Sequence, residues 1–203
     1  MVPVKICGIT NLDDALICQK LGVSALGFVF APSPRQISVE QVTQITRHLS
    51  PLILKVGVFV DEDPFRIRTI MQTCRLDLAQ LHGDETLRDC QVLAGRVIKA
   101  FRASRDQPKP EWQGAALRGI LIDSYAVNAY GGTGQVFDWK LVAGYRKLGF
   151  PLILAGGLNP DNISTAIRDV QPDGIDLSSG VEKSPGLKDP DKIARLMATI
   201  KSL

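Results

Sequence analysis

Eight short runs of Val, Ile, Leu and Phe recur along the 203 residues, and a segment of helical spacing separates most of them. The runs span residues 4–7, 25–29, 54–60, 78–81, 96–101, 119–123, 151–155 and 174–177. Their near-continuous apolar character suits parallel strands covered by helices better than strands with one face in water. The intervening helices are expected over 12–21, 39–49, 64–73, 85–93, 138–148, 162–170 and 190–203. Asp63-Pro64 and Asp189-Pro190 place a capping side chain before a first-turn proline, and Gly22 and Gly149 lie just past helix ends. The fifth connection, 102–118, contains Pro108, Pro110 and Gly114, which predicts an irregular loop or a shortened helix.

Eight units of about 25 residues approach the minimum for a strand, a crossover helix and two loops. The expectation is an α/β fold, a closed (βα)₈ TIM barrel forming one domain over 1–203. An open doubly wound sheet is the alternative, but neither GxGxxG nor GxxxxGK[ST] occurs. The composition, 45% hydrophobic and 22% charged, is that of a soluble globular chain.

The formal charge of +3 is dispersed, with no basic cluster to track a nucleic-acid backbone, although a small anion remains a plausible ligand. No apolar stretch reaches the roughly 18 residues of a membrane span, and no signal peptide is evident, so a cytoplasmic protein is expected. The cysteines at 7, 18, 74 and 90 form neither a CxxC pair nor metal-ligand spacing with His48 and His82. Disulfides and a zinc site are therefore not expected, and the sequon at Asn162 has no meaning without secretion.

Barrel sites form at the C-terminal ends of the strands, so the polar residues there define a candidate rim. In chain order they are Cys7, Arg35, Asp61, His82, Arg102, Asp123, Gly156-Gly157 and Ser178-Ser179-Gly180. The last two stretches, "AGGLNPDN" and "DLSSGVE", follow strands 7 and 8, where backbone N–H groups of glycine loops often hold phosphate. Tight turns alone would also use such glycines, but their occurrence on adjacent strands favours an anion.

Within "VKICGIT", alternation along a strand sends Lys5 and Cys7 to one face and Val4 and Ile6 to the other. If the aliphatic pair meets the helices, Cys7 points into the barrel near its rim. A neighbouring ammonium lowers a thiol pKa and favours the thiolate, whereas a strand cysteine with no such company is more often simple packing. Asp123, at the tip of "GILID", suits a general acid if desolvation keeps its proton, or else a loop cap. Asp176 either bonds a ligand hydroxyl or pairs with Lys5 across the barrel. Arg35, in the proline-stiffened "APSPRQIS", has the donor fork for a carboxylate. His82 in "QLHGDE" is a binding candidate, and His48 and the other cysteines receive no chemistry.

These strings, with "LGFVFAPSPR", "VGVFV", "GGTGQVFDW", "LILAGGLNPDN" and "GIDLSSGVEKSPGLKD", occur in the order that characterises phosphoribosylanthranilate isomerase, and the chain resembles that family over nearly its full length. Only 102–118 lacks a recognisable motif, and no catalytic position is substituted. The resemblance implies a cofactor-free Amadori rearrangement in tryptophan biosynthesis, with Asp123 as general acid and Cys7 as general base. It further implies that Arg35 contacts the anthranilate carboxylate, that His82 and Asp176 lie by the substrate, and that Gly156, Gly157, Ser179 and Gly180 grip the phosphate. Gly131 to Gly134 would form a loop over the substrate.

The implied partner is a phosphorylated sugar-anthranilate, with no nucleic acid, membrane or metal, for a monomer or homodimer. Competing readings are a non-catalytic sugar-phosphate-binding barrel, an isomerase of a related phosphoribosyl substrate and a thiol-dependent hydrolase. Relatives in histidine biosynthesis use two aspartates, so Cys7 favours the anthranilate substrate.

Overall fold

The computed structural model describes residues 1–103, 109–123 and 140–203. The strands are β1 (Val4–Cys7), β2 (Ala25–Val29), β3 (Leu54–Phe59), β4 (Leu78–Leu81), β5 (Val97–Arg102), β6 (Gly119–Asp123), β7 (Leu152–Ala155) and β8 (Gly174–Leu177). Each pairs in parallel with the next, and β8 closes back onto β1, so the sheet has no edge and forms the expected barrel.

Helices α1 (Leu12–Lys20), α2 (Val39–Thr46), α3 (Pro64–Thr73) and α4 (Leu87–Val92) occupy the first four crossovers. After them come α5 (Lys140–Arg146), α6 (Ile163–Val170) and α7 (Pro190–Lys201). The capping reading holds at α3 and α7, where Asp63 and Asp189 each accept two backbone N–H groups ahead of a proline. In the fifth crossover the described residues include a 3₁₀ turn at Pro110–Trp112, in keeping with the irregular loop or shortened helix expected there. The expected glycine loop at 131–134 and the start of the helix expected from 138 lie outside the described residues.

Two boundaries depart from expectation in ways that matter for the site. Helix α4 begins at Leu87 rather than at 85, because Thr86 and Asp89 form a reciprocal capping box. That frees Glu85, which is buried and accepts from the backbone N–H groups of Asp61 and Gly83 and from Lys99 Nζ at 2.9 Å. The stretch after β8, read from sequence only as a phosphate loop, also forms a small antiparallel hairpin, β9 (Glu182–Ser184) and β10 (Leu187–Lys188). Gly186 turns it at φ +83°, a conformation other residues adopt only at a cost.

The main core lies between the strands and their helices, and Val4 and Ile6 belong to it together with Ala15, Cys18 and Ile193. Inside the barrel, Ile98, Ala100, Leu121 and Ala155 of β5, β6 and β7 form a separate apolar cluster, with Leu78 of β4 and Ile153 packed against it. Next to it in the closed ring, β8 and β1 carry Asp176 and Lys5, both buried.

Candidate active site

A cavity of about 330 Å³ opens at the C-terminal ends of the strands. Cys7, Arg35, His82, Asp123, Gly156, Gly157, Asp176 and Ser179 all line it. Eight of the nine residues to which the resemblance gave a role are therefore brought to one hollow; of the other rim candidates Ser178 lines it, while Asp61 and Arg102 do not. Gly180 is the ninth: it does not line the cavity but backs the same loop, where a Cβ would run into the carbonyl oxygen of Leu158. Gly156 and Gly157 adopt φ of +90° and +62°, so the turn after β7 depends on residues without side chains.

Cys7 ends β1 and is paired in register with Gly27 of β2. A Cβ at Gly27 would lie 2.7 Å from Cys7 Sγ and 3.0 Å from Lys5 Nζ. The thiol and the ammonium therefore share the space that this glycine leaves open. We expect Gly27→Ala to push the thiol out of place and lower kcat by roughly 10²-fold, the scale of a displacement near 1 Å at a reacting group. Steady-state kinetics with a melting curve check this, and unaltered kcat in a folded variant would refute it.

Burial pushes the Cys7 thiol above its ordinary pKa, while the Lys5 ammonium pulls it back. Lys5 thus acts in the direction read from the sequence, but desolvation outweighs it, and the net lowering expected there is not found. Lys5 itself is held charged: burial disfavours its ammonium, yet Asp176 and Cys7 more than compensate.

Its bond to Asp176 Oδ2 is 2.8 Å long and joins adjacent strands, Lys5 facing Asp176 in the β1–β8 register. The pair anticipated across the barrel is one between neighbours, because closure brings together strands 171 residues apart in the chain. Burial raises the Asp176 pKa, against the pull of Lys5. The other oxygen of this carboxylate, Oδ1, is buried with no hydrogen-bond partner among the described residues.

Asp123 lies at the tip of β6, three strands round the closed ring from Cys7. Its Oδ2 is 3.4 Å from His82 Nε2. The other ring nitrogen, Nδ1, is 3.2 Å from Gln80 Nε2 on the same strand as the histidine's approach. Donation from the Gln80 amide to Nδ1 leaves the ring proton on Nε2, directed at Asp123. The backbone around His82 is pinned as well, since Arg102 donates to its carbonyl at 3.3 Å and Lys99 donates to the carbonyls of Leu81 and Gly83. Gln80 is 1% exposed, lines the cavity and leaves its Oε1 without a partner among the described residues. Sequence reading passed it over because a lone glutamine within an apolar strand has no recognisable spacing.

Arg35 differs most from the sequence picture. It was expected as an open fork, but Glu182 already takes one side of it: Nε donates to Oε1 and Oε2 at 2.9 and 3.1 Å, and Nη2 to Oε2 at 2.6 Å. Glu182 lies in the hairpin after β8, and only the folded chain reveals this contact across 147 residues.

The remaining cysteines conform to the packing role. Cys18, Cys74 and Cys90 are buried and free, and burial pushes the thiols of Cys18 and Cys90 up to about 12 and about 11. His48 is exposed. Among the described residues, no group of three or more His, Cys, Asp or Glu side chains is arranged to hold a metal ion, and no helix is long and apolar enough to cross a membrane.

Comparison with known proteins agrees with this geometry. Residues 4–199 match the family model described as N-(5'phosphoribosyl)anthranilate (PRA) isomerase. The chain is 45% identical over 202 residues to the N-(5'-phosphoribosyl)anthranilate isomerase of Geobacter sulfurreducens, covering 99% of each. It superposes on the crystal structure of phosphoribosyl anthranilate isomerase from Thermotoga maritima with a TM-score of 0.88 at 42% identity, over 100% of both chains. A second solved isomerase, in complex with reduced 1-(o-carboxyphenylamino)-1-deoxyribulose 5-phosphate, matches with a TM-score of 0.85 at 40% identity, again over 100% of both chains. On its strand order, its rim and this full-length similarity, the chain belongs to the N-(5'-phosphoribosyl)anthranilate isomerase family.

Proposed function

We propose that this chain isomerises N-(5'-phosphoribosyl)anthranilate to 1-(2-carboxyphenylamino)-1-deoxyribulose 5-phosphate in tryptophan biosynthesis, as an intramolecular oxidoreductase working in the cytoplasm without a cofactor. The observation that carries the roles is the placement of the Asp123 carboxyl and the Cys7 thiol three strands apart in a single cavity that the loops after β7 and β8 also line. Asp123 gives a proton to the furanose ring oxygen as the C1–O bond breaks, and the nitrogen lone pair forms the Schiff base. The Cys7 thiolate then removes the proton from C2, and the enolamine becomes the aminoketose when C1 is protonated and the C2 hydroxyl loses its proton. His82 Nε2–H favours the carboxylate left on Asp123.

The remaining groups hold the substrate. Asp176 Oδ1 and Gln80 Oε1, which have no partner among the described residues, are acceptors suited to sugar hydroxyls. The end of the Arg35 fork left open by Glu182 receives the ring carboxylate. Gly156, Gly157 and Ser179 supply a backbone cradle for the phosphate, and Gly180 completes that loop by letting it pack against the Leu158 carbonyl. All these groups come from one chain, so the chemistry is available to a monomer or a homodimer alike.

The test is turnover of freshly generated phosphoribosylanthranilate, followed by loss of substrate fluorescence, across pH. The thiol must be ionised and the carboxyl protonated, so activity falls when pH drops enough to protonate the base and when it rises enough to strip the acid, giving a bell. Lys5→Met removes the ammonium that lowers the thiol pKa, so thiol titration in that variant is expected to move to higher pH. An unchanged titration would show that Lys5 does not tune Cys7. Binding of the substrate without turnover would overturn the isomerase reading in favour of a sugar-phosphate-binding barrel.

A further inference from the structure

Two buried charges in the hairpin after β8 touch no atom of the substrate in the scheme above. Glu182 is 6% exposed and Lys188 2%, and Lys188 Nζ donates to Glu182 Oε1 at 2.6 Å. The same Nζ donates to the carbonyl of Cys7 at 2.6 Å, and the Lys188 backbone N–H donates to Asp14 Oδ2 at 2.9 Å. The Gly186 N–H adds a 3.3 Å bond to Glu182 Oε1. A buried ion pair alone is weak evidence of purpose, since apolar replacements often serve stability as well. The geometry of the third member of this cluster is what gives the pair a function.

That member is Arg35, which takes both Glu182 oxygens through Nε and Nη2. Its stem passes over Gly8, where a Cβ would lie 2.5 Å from Arg35 Cδ. Gly8 therefore sets the path of the side chain, and Glu182 sets the rotation of its plane. A guanidinium has five N–H donors, and the side-on contact to Glu182 leaves the end-on pair from Nη1 and Nη2. Arg35 lines the cavity, so this second edge is the one available to a ligand carboxylate.

We propose that Glu182 is a positioning residue that locks Arg35 with its end-on fork toward the carboxylate-bearing ring of the substrate, and that Lys188 anchors the Glu182 carboxylate in its buried place through their 2.6 Å bond. This rests on the reading of Arg35 given above. Glu182 touches no reacting atom; it removes the freedom that a long side chain would otherwise lose on binding. The same lysine bonds the Cys7 carbonyl, so one ion pair ties the end of β1 to the carboxylate clamp.

The test uses two ligands on the full chain: reduced 1-(o-carboxyphenylamino)-1-deoxyribulose 5-phosphate, and the same compound without the ring carboxylate. Inhibition constants for both, with kcat, KM and melting curves, are measured for Glu182→Gln, Glu182→Asp and Arg35→Ala. Glu182→Gln is expected to weaken the carboxylated ligand about tenfold, as for loss of one charge-assisted clamp, while the other ligand stays within about twofold. KM should rise more than kcat falls. Glu182→Asp, which keeps a charge beside Lys188 but shortens its reach, should give an intermediate loss and serves alone if the glutamine variant does not fold. Equal weakening of both ligands, or a lower melting temperature with binding unchanged, would make Glu182 a structural residue and overturn the proposal. If Arg35→Ala removes the preference for the carboxylated ligand but the Glu182 variants do not, the positioning role fails and the reading of Arg35 stands. If Arg35→Ala keeps that preference, the reading of Arg35 itself fails.

Discussion

Asp123→Asn is expected to lower kcat by about 10³-fold, within the range that a well-placed general acid supplies, with little change in melting temperature. The amide has nearly the same shape as the carboxyl but no proton acidic enough to release to a ring oxygen. The side chain is about one-quarter exposed at the tip of β6, so the exchange leaves no buried charge and opens no void. The contact with His82 Nε2 survives, because the amide oxygen still accepts. Binding of the product analogue should persist while turnover disappears, which separates a chemical loss from a binding loss. If Asp123→Asn keeps kcat within about tenfold of the parent, another group delivers the proton and the assignment of the acid is wrong.

Cys7→Ala should be of similar size, again about 10³-fold in kcat, because on the proposed scheme C2 then loses the group that accepts its proton. Cys7→Ser is the sharper test, since it retains a polar atom in the same place but is far less readily ionised. It should be nearly as inactive as alanine. Burial pushes the Cys7 thiol up and Lys5 opposes that, so the thiolate is a minority form in the free protein near neutral pH. Alkylation of Cys7 should accordingly quicken as pH rises and slow when the product analogue fills the cavity. Retained turnover in Cys7→Ser would exclude the thiolate as the base. Acid and base act on one substrate in sequence, so the double variant should be little slower than the worse single one.

Eight strands and a rim were readable because each unit is local. A buried parallel strand needs an uninterrupted apolar run, and its C-terminal neighbour falls at the rim wherever the barrel closes. Cys7, His82, Asp123 and the glycines after β7 and β8 could all be named from their place in the chain. Boundaries were less legible where a side chain had two possible uses. Glu85 continues a helical pattern on paper, but the Thr86 capping box starts α4 later and leaves Glu85 to the Lys99 network beneath His82.

Glu182, Lys188 and Gln80 went unnoticed for a different reason. A glutamate and a lysine six residues apart in "GVEKSPGLKD" read as ordinary surface charge until the hairpin buries both against Arg35 and the Cys7 carbonyl.

The amino-acid sequence alone determined the barrel, the order of its units and the chemical types offered at the rim, since apolar periodicity, caps and glycines act over a few residues. The tertiary structure decided who meets whom. Closure of β8 on β1 makes Lys5 and Asp176 neighbours, and the β9–β10 hairpin gives Arg35 its partner. Burial, which no short stretch of chain specifies, decides that the Cys7 thiol is pushed up in spite of the lysine beside it.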